Sequence, residues 1–540
     1  MRLPQPIRDN LRFLLAETST QLNNLVALLT APSSELTQRI VDRRGYSYNL
    51  KMRIHDGCAQ AIRATPPPRA LELYSLRAAE AISTKLDRLT ELVYDCVRQL
   101  DGQKRRGILK TLSSSGLLED VQKGIDLIRS GIDEEGTKTA IKVSELADSM
   151  SQKGDSFFEE QSRDLQSIEH PDRVVCALFV ATQLNEMGNV LREVSESLVG
   201  ARVGRPLPMD RYRLLENAFE DLGIDQAEVA KAAETNSGTN ISRIAGRAGT
   251  DFVAIVKDGE KRKLKEERKS VESWHEIFPG LAPQILSFRQ RGDNASLMIE
   301  HLPGFTFDRV LLSGSDEQLQ TTLDHLSKTL NAVWRETKSE QQTSSRHMSQ
   351  LRKRLDSVLE IHPSFGRGKG RVCQASTQSL WDLIDIAEQR ESAIEPPFSV
   401  YIHGDFNLDN IIFDPNDKRI YFIDLHRSKY SDYTQDVSVF MVSNYRLQAL
   451  EKQVRCRITK VAVDFYSAAR KFARRQDDET FELRLAFGLA RSFITSTRFI
   501  LDKSLAKAMY LRGIYILERA IDHPTKRAAD FRLPIKDLFS

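Results

Sequence analysis

Residues 403–410, which spell HGDFNLDN, constrain this chain more than any other stretch, and Asp424 follows fourteen residues after Asn410. Apolar runs lie on both sides of the turn-forming residues around position 417. Two short strands around such a turn predict a β-hairpin. If the antiparallel pairing closes near residue 417, Asn410 is expected opposite Asp424 at the open end, with Asp405 facing the same point.

These residue types fit a site for phosphoryl transfer from a Mg-nucleotide. The reaction mainly requires positioning and neutralisation of phosphate charge. A carboxylate such as Asp405 can orient an acceptor hydroxyl and take its proton. Mg²⁺ prefers oxygen ligands, which Asn410 and Asp424 supply. An Asp- and Asn-rich loop can also be a plain turn, but the accompanying hairpin and second acid make that interpretation weaker.

The same segment resembles the HGDxxxxN loop of the aminoglycoside phosphotransferase (choline kinase-like) superfamily, a branch of the kinase fold. The resemblance implies that Asp405 is the catalytic base and that Asn410 and Asp424 hold Mg²⁺. It also implies that Asp436 braces the catalytic loop and that His403 supports the backbone.

The resemblance extends over roughly residues 210–525 and implies a two-lobed α+β domain that uses ATP and Mg²⁺. Its N-lobe is predicted at 223–304. Its C-lobe, with a helical acceptor region at the C-terminal end, is predicted at 305–540.

A nucleotide-binding lobe is predicted upstream of the motif. The apolar stretch 252–257 indicates a buried strand that ends at Lys257, which can reach the α- and β-phosphates, although an ordinary strand-end lysine in water has the same pattern. The loop 235–240, with Ser237 and Gly238, lies where the family covers the phosphates. It carries one glycine, so a plain turn fits it equally well.

A charged helical stretch follows at 266–278 and is expected to supply the glutamate that pairs with Lys257. Glu267 is the predicted partner. Glu266 and Glu272 remain alternatives, because the sequence alone does not fix the rotation of the helix.

The segment 297–304 resembles the hinge of the family, LMIEHLPG in this chain. The backbone groups from Glu300 to Leu302 are therefore expected to meet the adenine ring.

Length and composition limit the remaining interpretations. A chain of 540 residues suggests about three folded units, and its 40% hydrophobic and 28% charged content is that of globular proteins. The net charge of +3 is too small to suggest nucleic-acid binding. The longest apolar stretch, near 174–184, is short of a membrane span, and the start lacks the features of a secretory signal. Five scattered cysteines predict reduced thiols in a cytoplasmic protein.

The first 200 residues are predicted to be an antiparallel bundle of long helices. Two similar three-helix sets, about 8–100 and 108–200, suggest an internal duplication. The second helix is expected over 35–64. A linker rich in glycine and proline is predicted at 201–222.

The closing helix of the first set resembles that of a PhoU repeat, with Asp87 and Glu91 four residues apart on one face. The second copy has Asn185 and Asn189 at the equivalent positions, which favours a metal-free PhoU-like bundle. The resemblance implies a role in regulation or in docking a protein partner. The alternative for the two acids is a solvated helix face.

The favoured function is an ATP-dependent transfer of the γ-phosphate to a hydroxyl of a small, neutral or anionic molecule. Residues 446–540 carry 20 Lys and Arg against 11 Asp and Glu, a balance of +9 that suits a polycationic acceptor poorly. One alternative is a non-catalytic kinase fold that binds nucleotide in phosphate-linked signalling. A protein kinase is the other, although no Ala-Pro-Glu segment is present. The polar run 335–348 predicts a mobile loop, either a lid or an insertion.

Overall fold

The computed structural model describes most of the chain. The described residues are 1–31, 33–64, 70–100, 112, 115–133, 137–163, 171–203, 207–210, 212–213, 216, 228–233, 240–245, 254–366, 368, 370–372, 375–449 and 451–540. They form two compact units, one of Met1–Glu260 with Ser287–Met298 and one of Lys261–Leu286 with Ile299–Ser540.

The N-terminal region is mostly helical. Its described helices are α1 Gln5–Thr30, α2 Ser34–Asp42, α3 Tyr46–Ile62, α4 Ala70–Gln99, α5 Leu117–Asp133, α6 Lys138–Ser162 and α7 Pro171–Val203. The apolar stripe of α1 is buried as its spacing predicts, with Leu11, Leu14 and Leu25 fully enclosed. The PhoU-like identity and the two-repeat plan remain predictions.

The helix predicted over 35–64 is wrong as a single element, because it is two helices, α2 and α3. Gly45 separates them with φ of +90°, a left-handed backbone that a glycine adopts without steric cost. The acids of the predicted PhoU signature are both engaged with cations. Asp87 is buried against Lys51, with 2.5 Å between the charged atoms, and Glu91 pairs with Arg88 at 3.0 Å.

Helix α7 contains the one segment among the described helices, Arg173–Val203, that is long and apolar enough to cross a membrane by length and composition. Over its most apolar window, 56% is buried inside the structure. Val180, Leu184 and Leu191 belong to the same apolar core as the side chains of α1 and α4. The length and apolarity of α7 therefore serve the packing of the bundle.

Strands β1 Glu228–Ala233, β2 Asn240–Ala245, β3 Ala254–Glu260, β4 Ile285–Arg291 and β5 Asn294–Glu300 form a sheet in the order β1-β2-β3-β5-β4. In the first unit, Ala254 and Val256 of β3 and Met298 of β5 share one apolar core with the N-terminal helices. The domain boundaries predicted at 201–222 and at 304 remain predictions.

The second unit contains helices α8 to α17 and strands β6 to β12. The helices are α8 Lys261–Ile277, α9 Phe307–Ser313, α10 Asp316–Glu336, α11 His347–Ile361, α12 Leu380–Ser392, α13 Thr434–Tyr445, α14 Lys452–Arg475, α15 Phe481–Ser496, α16 Lys503–Asp522 and α17 Ile535–Phe539. The strands are β6 Phe305–Thr306, β7 Gly370–Val372, β8 Ala375–Thr377, β9 Val400–Ile402, β10 Ile411–Asp414, β11 Arg419–Phe422 and β12 Lys429–Ser431.

An aromatic cluster holds α8 against the strands of this unit. Trp274 is buried and meets the rings of Tyr401 and Phe422 edge-on at 5.1 and 5.6 Å, while its indole N–H donates to Ser428 Oγ at 2.8 Å. These contacts place the inner face of α8 next to the segment that follows β11.

The polar run 335–348, predicted to be a mobile loop, is tied down by backbone bonds. Ser339 and Ser399 exchange two N–H···O=C bonds of 2.9 and 3.0 Å, and the N–H of Tyr401 donates to Thr337 Oγ1 at 3.0 Å. Ser345, near the end of the run, is buried. The run is thus a structural connection between α10 and α11.

Candidate active site

The predicted β-hairpin is confirmed, and its register differs by one residue from the prediction. Strands β10 and β11 pair antiparallel with Ile411 opposite Phe422, which places Asn410 opposite Ile423 rather than Asp424. The backbone N–H of Ile423 donates to Asn410 C=O at 3.0 Å. The register differs because the pair Asp414 and Arg419 centres the turn between residues 416 and 417, whereas the prediction centred it on residue 417.

Asp424 lies just beyond this pairing in a left-handed backbone conformation with φ of +62°. A non-glycine residue holds such a conformation only at a cost of about 1–3 kcal/mol, and such strain concentrates at functional sites. Its carboxylate Oδ1 lies 3.1 Å from His426 Nδ1. This hydrogen bond raises the pKa of His426 above its usual value.

The carboxylate of Asp405 is held by two side chains of the second unit. Its Oδ1 accepts from Asn407 Nδ2 at 2.9 Å, and its Oδ2 pairs with Arg427 at 3.0 Å. Arg446 in turn donates to Asn407 Oδ1 at 3.3 Å. Asp405 keeps 20% of its side chain exposed, so a substrate hydroxyl has access to it.

Two buried side chains shape the loop that carries Asp405. Asp436 accepts the backbone N–H groups of His403 and Gly404 at 2.7 and 2.8 Å. His403 Nε2 donates to Ile423 C=O at 2.9 Å, and its Nδ1 accepts from the backbone N–H of Asp405 at 3.3 Å. Burial lowers the pKa of His403, which favours the neutral ring that this pattern requires.

His403 therefore connects the backbone of Asp405 directly to the residue before Asp424. Burial also raises the pKa of Asp436 to about 7, partly opposed by the two backbone hydrogen bonds. Asp436 and His403 therefore fix the backbone of the loop, and neither side chain is placed to exchange a proton with a substrate.

The donor set at the end of the hairpin fits Mg²⁺. The Asn410 amide donates through Nδ2 to Asp405 C=O at 2.9 Å, which leaves Oδ1 as its ligating atom. With a carboxylate oxygen of Asp424, it offers two hard oxygen ligands, and Mg²⁺ commonly takes the remainder from water and phosphate.

The rotation of α8 distinguishes the three candidate glutamates. Glu267 is buried, whereas Glu266 and Glu272 are exposed, and Glu272 pairs with Arg268 at 2.8 Å. The charge of Glu267 also contributes to raising the pKa of His426. Of the three, Glu267 therefore lies on the inner face of α8.

Lys257 is 5% exposed in β3, which differs from a strand-end lysine in water. It belongs to the first unit and Glu267 to the second, so their pairing stays a prediction. Ser237 and Gly238, predicted for the phosphate loop, lie outside the described residues.

At the predicted hinge, Glu300 N–H donates to Gln284 C=O at 2.9 Å, and Glu300 Oε1 accepts from Gln284 N–H at 2.9 Å. Leu302 is buried, and its backbone N–H and C=O have no hydrogen-bond partner in the described part of the chain. The role of Glu300 to Leu302 in meeting the adenine ring stays a prediction.

A cavity of about 340 Å³ opens beside Asp405, and its cationic lining was not anticipated residue by residue. The cationic side chains around it are Arg354 of α11, Arg427, Lys429 of β12 and Arg491 of α15. Arg427 could have been identified from the sequence, because it lies close to Asp424 along the chain. No local pattern marks Arg354 or Arg491, because each lies far away in sequence, on the inner face of a helix.

Comparison with known proteins gives one family match. Residues 314–460 match the model of the ecdysteroid kinase-like family. This region is kinase-like. The match points to a small-molecule kinase-type phosphotransferase. A search of curated proteins found no match.

Solved structures similar to this chain include an aminoglycoside phosphotransferase from Streptomyces rimosus, at 23% identity and a TM-score of 0.34. The likeness covers 52% of this chain and 98% of that one, and a second structure of the enzyme holds ADP and streptomycin. An ethanolamine kinase from Plasmodium vivax is similar at 11% identity, over 70% of this chain and 95% of that one, with a TM-score of 0.33. These structural similarities do not identify a substrate for this chain.

Proposed function

We propose that the chain transfers the γ-phosphate of ATP to a hydroxyl of a small, neutral or anionic molecule. The observation that carries this proposal is the joint placement of Asp405, Asn410 and the left-handed Asp424 around one loop, which Asp436 and His403 hold in shape.

In this mechanism the Asp405 carboxylate orients the acceptor hydroxyl and takes its proton as the new O–P bond forms. The bond between the γ-phosphorus and the bridging oxygen breaks, and ADP leaves with the electron pair. Mg²⁺, held by Asn410 and Asp424, would neutralise charge on the phosphate oxygens. Arg427, now paired with Asp405, supplies positive charge at the same point.

The nucleotide is proposed to place its adenine at the backbone of Glu300 to Leu302. Lys257, Glu267 and the loop with Ser237 and Gly238 are proposed to serve its phosphates. The N-terminal bundle is proposed as a PhoU-like regulatory domain that docks a protein partner, in a cytoplasmic protein.

The test is acceptor-dependent release of ADP in the presence of Mg-ATP, measured with a panel of sugars, sugar phosphates, small alcohols and aminoglycosides. Asp405→Asn is expected to lower kcat at least about 100-fold, because the proton acceptor is lost, while ATP binding persists. Asp417→Asn, an exposed acid in the turn of the same hairpin, is the matched control and is expected to keep full activity.

Binding of Mg-ATP without ADP release from any acceptor would instead favour a nucleotide-binding regulatory protein. Unchanged turnover in Asp405→Asn would remove this residue from the chemistry.

A further inference from the structure

The cavity beside Asp405 has an uneven charge. Among the described residues, four cationic side chains line it, those of Arg354, Arg427, Lys429 and Arg491, together with one acidic side chain, that of Asp405. Within the described part of the chain, Arg427 is the one of these four cations that forms an ion pair inside the cavity, with Asp405. The cavity therefore has an excess of positive charge directly at the reaction centre.

The contrast between two arginines of α15 shows that this excess is unusual even inside this domain. Arg484 is 3% exposed and forms ion pairs with both Asp432 and Asp478. Arg491, two helical turns further on, is equally buried, yet it has no carboxylate within 4 Å in the described part of the chain. A buried guanidinium without a counter-ion is strongly disfavoured.

Arg491 is held by neutral groups alone. Its Nη2 donates to Gln435 Oε1 at 3.1 Å and to Ser438 Oγ at 3.2 Å, while its buried Nε has no partner among the described residues. Burial and the charge of Arg354 lower the pKa of Arg491 to about 9. The guanidinium is thus positioned by neutral acceptors, and the carboxylates that raise its pKa, Asp405 and Glu391, form no ion pair with it among the described residues.

Arg354, like Arg491, lines the cavity without an ion pair among the described residues. Within the described part of the chain it makes no hydrogen bond and no ion pair of 4 Å or less. Burial, and then the nearby charge of Arg427, lower its pKa. Arginines that repel each other in a cavity whose described carboxylate, Asp405, is already paired with Arg427 are the arrangement expected where a ligand supplies further negative charge.

The fold brings these side chains together by close helix packing. Gly488, three residues before Arg491 on α15, allows this approach, because an added Cβ would lie 2.9 Å from Ser438 Oγ and 3.2 Å from His347 Cε1. Helix α15 can therefore lie close to both α11, which carries Arg354, and α13, which carries Gln435.

We propose that Arg354 and Arg491, with Lys429 at the entrance, form an anion subsite, and that the acceptor is a small alcohol carrying a phosphate or carboxylate group. This inference rests on the proposed phosphotransfer. The anionic group would bind the arginines while the hydroxyl faces Asp405, so the subsite selects the acceptor and orients it.

The test measures binding to the full chain loaded with Mg-ADP, which occupies the nucleotide site and keeps probe anions out of it. Two probe sets are titrated by calorimetry. They are glycerol, glycerate and glycerol 3-phosphate, and glucose, gluconate and glucose 6-phosphate. At least one anionic probe is expected to bind tenfold or more tightly than its neutral parent. Comparison of the carboxylate probe with the phosphate probe in each set shows which group is preferred.

Arg354→Gln is expected to abolish that preference, and Arg354→Lys to keep part of it. Lys353→Gln is the matched control, since it removes one positive charge from the exposed side of the same helix, and is expected to keep the preference in full. If the Arg354→Gln protein does not fold, Lys429→Gln serves as a second variant. Lys429 is at an exposed position of β12, and its replacement is expected to weaken the preference for the anionic probe.

Equal binding of neutral and anionic probes, or an undiminished preference in both Arg354→Gln and Lys429→Gln, would overturn the subsite. ADP release with neutral or cationic acceptors only would also overturn it, although phosphotransfer would stand. Tight anion binding without ADP release from any acceptor would support the subsite and count against phosphotransfer.

Discussion

The carboxylate of Asp436 accepts the backbone N–H of His403 at 2.7 Å. Asp436 lies on α13, which begins more than twenty residues after the loop 403–410. It accepts the N–H of Gly404 through its other oxygen. Gly404 has φ of +82°, and an added Cβ would lie 2.3 Å from Arg427 C=O. A side chain at position 404 would therefore be strained, and Asp436 holds the backbone of this loop through two hydrogen bonds.

Replacing Asp436 by alanine is expected to lower both stability and activity. Two buried N–H groups would lose their acceptor, at about 1–3 kcal/mol each. Urea unfolding should show a loss of at least about 2 kcal/mol, and kcat should fall more than KM for ATP. Asp436→Asn keeps one acceptor oxygen and should fall between wild type and Asp436→Ala. Wild-type kcat in a folded Asp436→Ala protein would contradict the brace.

Asp424→Asn is expected to remove most of the Mg²⁺ dependence of ATP binding, because it replaces the charged ligand of the proposed pair. Calorimetric titration of ATP with and without Mg²⁺ measures this effect. Asp417→Asn, at the opposite end of the same hairpin, should retain the full Mg²⁺ dependence. An equal Mg²⁺ effect in both variants would exclude Asp424 as a ligand.

Gly304→Ala is expected to destabilise the second unit strongly. Gly304 has φ of +105°, and an added Cβ would lie 2.1 Å from Phe413 C=O, a backbone atom that cannot move aside without disturbing β10. Strain alone costs about 1–3 kcal/mol, and the overlap adds to it. Gly292→Ala separates the two effects, since Gly292 also has positive φ but nothing within 4 Å. Thermal unfolding should show the larger loss for Gly304→Ala.

Glu391 is expected to make stability depend on pH. Its buried carboxylate accepts the N–H groups of His347 and Met348 at the start of α11, and burial raises its pKa from about 4.5 to about 7. Between these pH values the folded state holds a proton that the unfolded state releases, so this contribution to stability is present at low pH and is lost as pH rises towards 7.

Urea unfolding of wild type and Glu391→Gln at pH 5 and pH 7 measures this contribution. The wild type should lose stability relative to Glu391→Gln as pH rises over this window. Parallel behaviour of the two proteins would mean that Glu391 does not titrate as its burial implies.

The residues of the catalytic loop were predictable because they lie close together in sequence and their spacing is set by one hairpin. The helical content of the N-terminal region was predictable for a similar reason, since apolar residues recur along it at helical spacing. Where prediction failed, local backbone geometry decided the outcome, as at Gly45 between α2 and α3 and at the turn between Asp414 and Arg419 that sets the hairpin register.

The sequence by itself determined that an acid, an amide and a second acid stand in one loop and hairpin, and that the N-terminal region is mostly helical. Tertiary structure alone decided which glutamate of α8 is buried and which arginines meet at the cavity. Glu267 is selected by the rotation of its helix, and Arg354 and Arg491 are brought together by the packing of α11 against α15. Local spacing specifies neighbours along the chain, whereas contacts between distant helices depend on which of their faces are buried together.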